Sequence, residues 1–221
     1  KKIFFSDVYL LEEKNGKLIV KEHINLDNEI GYGASVTTKD GIYYIGGGAT
    51  AEADNDILFL SMKNGKLSVE KIGDLPFTLQ NGTAVEKDGK LYIISGKQNG
   101  KATNKMYEYN VTTGKVKELA PVPGAATRTQ AVSQILDGKL YVFSGGDSIA
   151  YTDGYEYNFA TNKWAPAASV ELNGEKISLL GASSVKLNEK EMMVIGGFNK
   201  EVYDNAVANL STLKGEELAE F

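Results

Sequence analysis

Short apolar runs that end in glycine recur along the chain and define its period. Four of them end at Gly47, Gly96, Gly146 and Gly197, each of which is the second residue of a Gly-Gly or Ser-Gly pair. The steps between these glycines are 49, 50 and 51 residues. A repeat of ~50 residues is typical of folds in which each repeat is one small supersecondary unit that packs against its neighbours.

Turn signals follow the same interval. Three Asp-Gly pairs stand just before the apolar runs, at Asp40-Gly41, Asp88-Gly89 and Asp137-Gly138. Asp-Gly between two alternating segments predicts a two-residue hairpin, because a type I′ turn requires positive φ at both central residues. A second series of turns lies between further strand-like segments, at Asn64-Gly65, Thr113-Gly114 and Asn162-Lys163. Each unit is therefore predicted to contain four antiparallel strands.

The units divide the chain into three complete blades with a half-blade at each end, sixteen strands in total. The outer half-blade comprises residues 1–26, the complete blades comprise 32–76, 78–123 and 128–170, and the inner half-blade comprises 178–197. Residues 199–221 space their apolar side chains as a helix does, at Val202, Tyr203, Ala206, Val207, Leu210, Leu213 and Leu218. A short helical insertion is predicted there.

Composition and charge exclude several kinds of chemistry. The 221 residues include no cysteine and one histidine, His23, which excludes disulfide scaffolds and thiol nucleophiles and argues against His-based metal sites. A net charge of −5 provides no field that would attract nucleic acid. No apolar run approaches the ~18 to 20 residues that span a bilayer. We expect no metal, no cofactor, and neither nucleic acid nor a membrane as partner.

The third unit carries the closest match to a known repeat. Gly145-Gly146 is followed by Tyr155 and Tyr157 and then by Trp164, which resembles the signature of a kelch blade. The resemblance implies an all-β, kelch-type β-propeller, of which this chain holds about four blades' worth. The two half-blades could pair to close a four-bladed ring. We favour the other interpretation, in which the remainder of a larger ring is missing from this chain, because the helical segment stands where a third strand is due.

An ordered set of motifs also resembles a family of enzymes. These motifs are Ser6-Asp7-Val8-Tyr9-Leu10, Tyr44-Ile45-Gly46-Gly47-Gly48, Arg128-Thr129-Gln130-Ala131 and Asp137-Gly138-Lys139-Leu140-Tyr141-Val142-Phe143. They are similar to the cyclically permuted branch of the bacterial sialic acid mutarotases, also called N-acetylneuraminate epimerases. That resemblance implies a six-bladed ring, located in the periplasm or the cytoplasm, which accelerates α/β interconversion of N-acetylneuraminic acid by general acid and base catalysis.

The family's catalytic pair, a Glu with an Arg six residues later, has no counterpart in this chain. Arg128 is the only arginine, and Val122 stands six residues before it. We therefore expect the catalytic residues to lie in the missing part of the ring and this segment alone to be inactive. The alternative is a kelch module that binds a glycan or a protein without catalysis, since a fold does not determine a function.

Residues that border the channel of a propeller are the candidate contacts for a small sugar acid. The loops that lead into the innermost strands carry Tyr32, Asn81, Arg128 and Gln130, and the loops that leave the second strands carry Thr50, Lys97, Gln98 and Asp147. Arg128 is the first choice, because guanidinium binds carboxylate in a bidentate manner. Its alternative role is a surface clamp on carbonyl groups of the neighbouring blade, and Lys97 and Asp147 could equally be solvated loop charges.

Overall fold

The computed structural model describes residues 5–49 and 52–210, and nearly all of its regular structure is β-strand. The chain begins with a long hairpin of β1 (Phe5–Lys14) and β2 (Lys17–Ile30). The first four-stranded sheet follows, in the order β3 (Ala34–Thr37), β4 (Ile42–Ala49), β5 (Glu52–Lys63) and β6 (Lys66–Asp74). All pairs of neighbouring strands are antiparallel.

Seven strands build the second repeat. In chain order they are β7 (Leu79–Gln80), β8 (Thr83–Lys87), β9 (Lys90–Ile94), β10 (Lys97–Gln98), β11 (Lys101–Ala102), β12 (Met106–Asn110) and β13 (Val116–Leu119). The main sheet has the order β8-β9-β12-β13, and the three short strands form a separate small sheet. That small sheet joins the segment before β8 to the loop after β9.

The third repeat is followed by two hairpins and the helix. The third sheet consists of β14 (Val132–Leu136), β15 (Lys139–Phe143), β16 (Gly154–Asn158) and β17 (Lys163–Ala167). A small hairpin of β18 (Glu171–Leu172) and β19 (Glu175–Lys176) precedes the pair β20 (Ser183–Lys186) and β21 (Met192–Ile195). Helix α1 (Lys200–Leu210) begins in the predicted segment, and the predicted apolar positions Leu213 and Leu218 lie outside the described residues.

The sheets pack face to face around a common channel. The innermost strands β3, β8, β14 and β20 are consecutive neighbours. One buried cluster, which includes Ile45, Leu79 and Leu91, lies between the first and second sheets, and another, which includes Met106 and Leu140, lies between the second and third. Successive sheets that share a core around an axis are the arrangement of a β-propeller, so the predicted fold class is confirmed.

The turns follow the sequence prediction in two of three places. Asp88-Gly89 and Asp137-Gly138 both have positive φ and close two-residue hairpins. The prediction is wrong for Asp40-Gly41, because the β3–β4 hairpin pairs Thr37 with Ile42 and has a four-residue loop. In that loop the Thr38 hydroxyl and amide both donate to the Gly41 carbonyl, which stabilises the wider turn.

Candidate functional site

A channel of about 1350 Å³ lies between the four innermost strands. One end is lined by charged residues at the hairpin turns, namely Lys39, Asp40, Lys87, Asp88, Lys186 and Glu189. The other end, which we call the mouth, is lined by the residues that lead into the strands, namely Tyr32, Gly33, Asn81, Gly82, Gln130, Ala131, Gly181 and Ala182. Uncharged polar groups therefore surround the mouth.

Four equivalent residues of successive repeats form a hydrogen-bonded arc at this mouth. Their φ angles are +60° at Tyr32, +54° at Asn81, +53° at Gln130 and +74° at Gly181. The backbone N–H of each of the last three donates to the carbonyl of the residue before it in the arc, with N···O distances of 2.8, 2.8 and 2.9 Å. The sequence predicted the first three residues as candidate contacts and missed Gly181.

The glycine pairs hold this arc close to the second strands. A Cβ added at Gly96 would lie 2.6 Å from Gly82 Cα, and one added at Gly145 would lie 2.6 Å from the Thr129 carbonyl oxygen and 3.0 Å from Ala131. Only glycine permits so close an approach of two backbone segments. The repeated glycine thus positions the residue that faces the channel mouth.

Three residues of the arc adopt a backbone conformation that is costly for their type. A non-glycine residue held in the left-handed region costs of order 1 to 3 kcal/mol, and asparagine tolerates it better than tyrosine or glutamine. The side-chain carboxamides of Asn81 and Gln130 have no hydrogen-bond partner among the described residues, although their backbone N–H groups are bonded within the arc. Such strained residues with available polar groups cluster at ligand sites.

Arg128 lies two residues before the arc, and its side chain is fully buried. The guanidinium donates to both carboxylate oxygens of Asp153 at 2.9 and 2.7 Å and also to the Ser144 carbonyl. It lies over the ring of Tyr151, 4.9 Å from the ring centroid, with Tyr155 at 5.9 Å. Burial raises the pKa of the Tyr155 phenol, and the adjacent Asp153 carboxylate raises it further.

This geometry gives Arg128 a structural role. Its guanidinium is absent from the channel lining, and its backbone is hydrogen-bonded to Gly96 and Thr103 of the second repeat. The clamp differs from the predicted alternative, because the side chain is buried rather than at the surface and binds groups of its own repeat. A direct contact between Arg128 and a ligand stays a prediction.

The loops that leave the second strands make contacts through their backbone groups. Lys97 and Gln98 form β10 and pair with Gln80 and Leu79 in the small sheet. The Asp147 carbonyl accepts a hydrogen bond from the Tyr203 hydroxyl of α1 at 2.7 Å. Thr50 lies outside the described residues.

Helix α1 is anchored to the loop after β15 by a second contact. The Ala150 N–H donates to the Asp204 carboxylate at 2.8 Å. Lys200 and this N–H both lower the pKa of the Asp204 carboxyl. The carboxylate is therefore ionised at neutral pH and holds the helix beside the mouth.

The only histidine of the chain lies outside the channel, on the β1–β2 hairpin. The His23 ring stacks on Tyr9 at 4.6 Å, and its Nε2 lies 2.6 Å from Asp7 Oδ1, which lowers the pKa of the Asp7 carboxyl. In residues 5–49 and 52–210, no three His, Asp or Glu side chains converge as a metal site would require. Over the same residues, no helix has the length and apolarity needed to cross a membrane.

Comparison with known proteins identifies the repeat. The profile of the KLHDC2/KLHL20/DRC7 Kelch-repeats domain matches residues 33–216. The matched segment begins just after Tyr32 and includes the second, third and fourth positions of the arc. No curated protein sequence matches the chain.

Proposed function

The chain belongs to the Kelch-repeat family of the KLHDC2/KLHL20/DRC7 type, and from that premise we propose that it binds a small sugar acid at the channel mouth. In the complete propeller, this binding would serve the α/β interconversion of N-acetylneuraminic acid. The proposal rests on two independent lines of support, the ordered motifs described above and the geometry of the mouth.

The arc of left-handed residues is the observation that carries the proposal. Glycine would adopt this conformation without strain, as Gly181 does, yet Tyr32, Asn81 and Gln130 hold the other three positions. Side chains that are kept at a cost to the backbone are expected to contribute something besides folding. Phenol and carboxamide groups offer both donors and acceptors, which suits the hydroxyl groups of a sugar.

The chemistry also requires groups that the described mouth does not contain. Opening of the sugar ring needs a base to take the anomeric hydroxyl proton and an acid to protonate the ring oxygen. A cation is needed to hold the substrate carboxylate. Among the described mouth residues none is charged, and Arg128 is engaged by Asp153. We assign these three roles to the remainder of the ring.

A binding module without catalysis is the second candidate function. The composition of the described mouth favours it, because phenol and carboxamide groups can hydrogen-bond a polar ligand, and the mouth residues defined above include no carboxylate and no cation. In that case the same arc would recognise a glycan. The two candidates differ in whether the bound sugar changes its anomeric form faster than in buffer.

Exchange NMR on the full-length protein tests both candidates. We expect N-acetylneuraminic acid to show faster exchange between anomers with the protein than in buffer. Binding without acceleration would support the module. If the protein shows no binding and no acceleration, the proposed sugar-acid site is excluded.

A variant of the arc tests the role of the side chains. Gln130→Gly removes the carboxamide but keeps the left-handed backbone, so we expect Tm to change by less than about 4 °C, which corresponds to ~1 kcal/mol. The affinity for the sugar acid should fall at least about tenfold, equivalent to ~1.4 kcal/mol. Unchanged affinity would place the ligand away from the arc.

A further inference from the structure

The fourth position of the arc differs from the other three because it has no side chain. Gly181 has the same left-handed backbone and donates its N–H to the Gln130 carbonyl. A Cβ placed on Gly181 would meet nothing closer than the Gln130 carboxamide, with Oε1 at 3.7 Å and Cδ at 3.9 Å. The mouth therefore has a gap at the point where the three preceding repeats carry a side chain.

The wall of this gap has a definite polarity. The Gln130 carboxamide faces it and has no hydrogen-bond partner among the described residues. The carboxamide oxygen is its nearest atom to the gap, and such an oxygen accepts an N–H or O–H donor. A secondary amide fits this wall best, because it can donate its N–H to Oε1 and accept from the Nε2 donor of the same group.

We infer that the gap at Gly181 receives the acetamido group of the bound sugar acid, hydrogen-bonded to the Gln130 carboxamide. This inference rests on the proposed function and adds a specificity determinant to it. The second repeat fills the equivalent position with Asn81, whose side chain also ends in an amide group. The ligand would thus supply the amide that the fourth repeat lacks.

The substitution Gly181→Asn in the full-length protein tests the inference. Asparagine tolerates the left-handed region and already stands at the equivalent position Asn81, so the fold should be retained. NMR titration would compare N-acetylneuraminic acid with the analogue in which hydroxyl replaces the acetamido group. We expect the variant to weaken binding of the acetamido sugar at least about tenfold and binding of the analogue by less than about threefold, because the analogue leaves room for the new side chain.

A matched control is available in the chain. Gly138 has a φ of +72°, close to that of Gly181, and an added Cβ there would meet nothing within 4 Å. Gly138→Asn should therefore leave both affinities unchanged. If Gly181→Asn lowers Tm, the smaller Gly181→Ala should still weaken the acetamido sugar more than the analogue.

Each other outcome counts against the inference in a distinguishable way. If the wild-type protein binds the acetamido sugar and Gly181→Asn binds it equally well, the gap is not the acetamido site and the proposed function stands. Equal weakening of both ligands would assign the gap to a different part of the sugar. If the wild-type protein binds neither, the proposed function fails and this inference fails with it.

Discussion

Arg128 occupies a position that other repeats give to an aliphatic side chain. The equivalent residues, counted from the arc, are Ile30, Leu79 and Leu179, and Leu79 is fully buried in the core. A guanidinium in such a place must be paired, because an isolated buried charge is strongly unfavourable. The bidentate contact with Asp153 and the ring of Tyr151 provide that compensation.

The ion pair takes over a task that asparagine performs in the first two repeats. The Asn55 amide donates to the Leu75 carbonyl, and the Asn104 amide donates to the Val122 carbonyl, each at 2.7 Å. Both contacts fasten the start of the third strand, or the residues just before it, to the segment that follows the fourth strand. In the third repeat, strand pairing places Thr152 at this position. The neighbouring Asp153 instead fastens the start of the third strand through Arg128.

This clamp predicts an asymmetry between its two partners. Asp153→Asn leaves a fully buried guanidinium without its counter-charge and should lower the free energy of unfolding by about 3 to 5 kcal/mol. Arg128→Leu restores the residue type of Leu79 and leaves only the partly exposed Asp153 carboxylate unpaired, so its cost should be smaller. Urea unfolding of both single variants and of the double variant would measure the coupling.

The double variant Arg128→Leu with Asp153→Asn also decides the open role of Arg128. It should be more stable than Asp153→Asn alone, because no buried charge remains. If it retains affinity for N-acetylneuraminic acid, Arg128 acts only as a clamp. A folded double variant that has lost this affinity would instead favour a ligand contact.

The structural role of Arg128 could have been predicted from the alignment of the repeats, whereas the sequence prediction relied on a motif match. A motif match and the chemistry of arginine favoured Arg128 as a ligand contact. An alignment of the repeats would have matched Arg128 to Leu79, which stands 49 residues earlier and occupies a core position. The partners of the guanidinium could not be predicted, since they depend on how closely Ser144 and Asp153 approach it after folding.

At the scale of elements, the glycine pair is the feature that fixes the geometry of each repeat. The two residues of the pair have left-handed φ in all four repeats, at Gly46-Gly47, Ser95-Gly96, Ser144-Gly145 and Gly196-Gly197. The sequence assigned the third pair to Gly145-Gly146, which is wrong by one residue. Gly146 instead forms bridges with Thr129 and Ala150. A Gly-Gly pair in the sequence therefore does not by itself locate the turn, because Ser-Gly can adopt the same conformation.

In the first three repeats a Cβ on the second residue of the pair would lie less than 3.0 Å from another atom, which predicts the effect of Gly145→Ala. The new Cβ would lie 2.6 Å from the Thr129 oxygen, so the loop that carries Gln130 has to move. The control Gly138→Ala has a similar φ and open space, and should cost only the ~1 to 2 kcal/mol of the left-handed conformation. We expect Gly145→Ala to cost clearly more in urea unfolding and also to weaken ligand binding. Equal costs would mean that the close approach is not needed.

At the scale of the whole molecule, the sheets at the two ends of the described row differ from those in its interior. Between the complete sheets, the apolar faces are buried. The β1–β2 hairpin exposes one apolar face, with Tyr9, Leu11, Leu18 and Val20, and the β20–β21 pair exposes another, with Val185, Met193 and Ile195. Uncovered apolar faces and unpaired strand edges favour association, and a closed ring removes both.

The period and the fold class could be predicted from the sequence because every repeat carries the same local signals. The closure of the ring could not, because it depends on contacts between the ends rather than on any local pattern. The sequence predicts β1–β2 as an outer pair of strands and β20–β21 as an inner pair, and β20 lies next to the innermost strand β14. The two pairs form separate two-stranded sheets, which agrees with the proposal that further blades lie between them.

Thiol labelling of the full-length protein would test whether further blades cover these faces. The chain has no cysteine, so Leu18→Cys and Met193→Cys each introduce one new thiol within it. Thr112, an exposed residue of the β12–β13 turn, is the matched control as Thr112→Cys. If further blades cover the end faces, Leu18→Cys and Met193→Cys should react slowly with a maleimide in the native state and rapidly in urea, whereas Thr112→Cys should react rapidly in both. Peptide mass spectrometry assigns each site. Rapid native labelling at both faces would show that they remain uncovered, and the catalytic groups assigned to the remainder of the ring would then have no place beside this mouth.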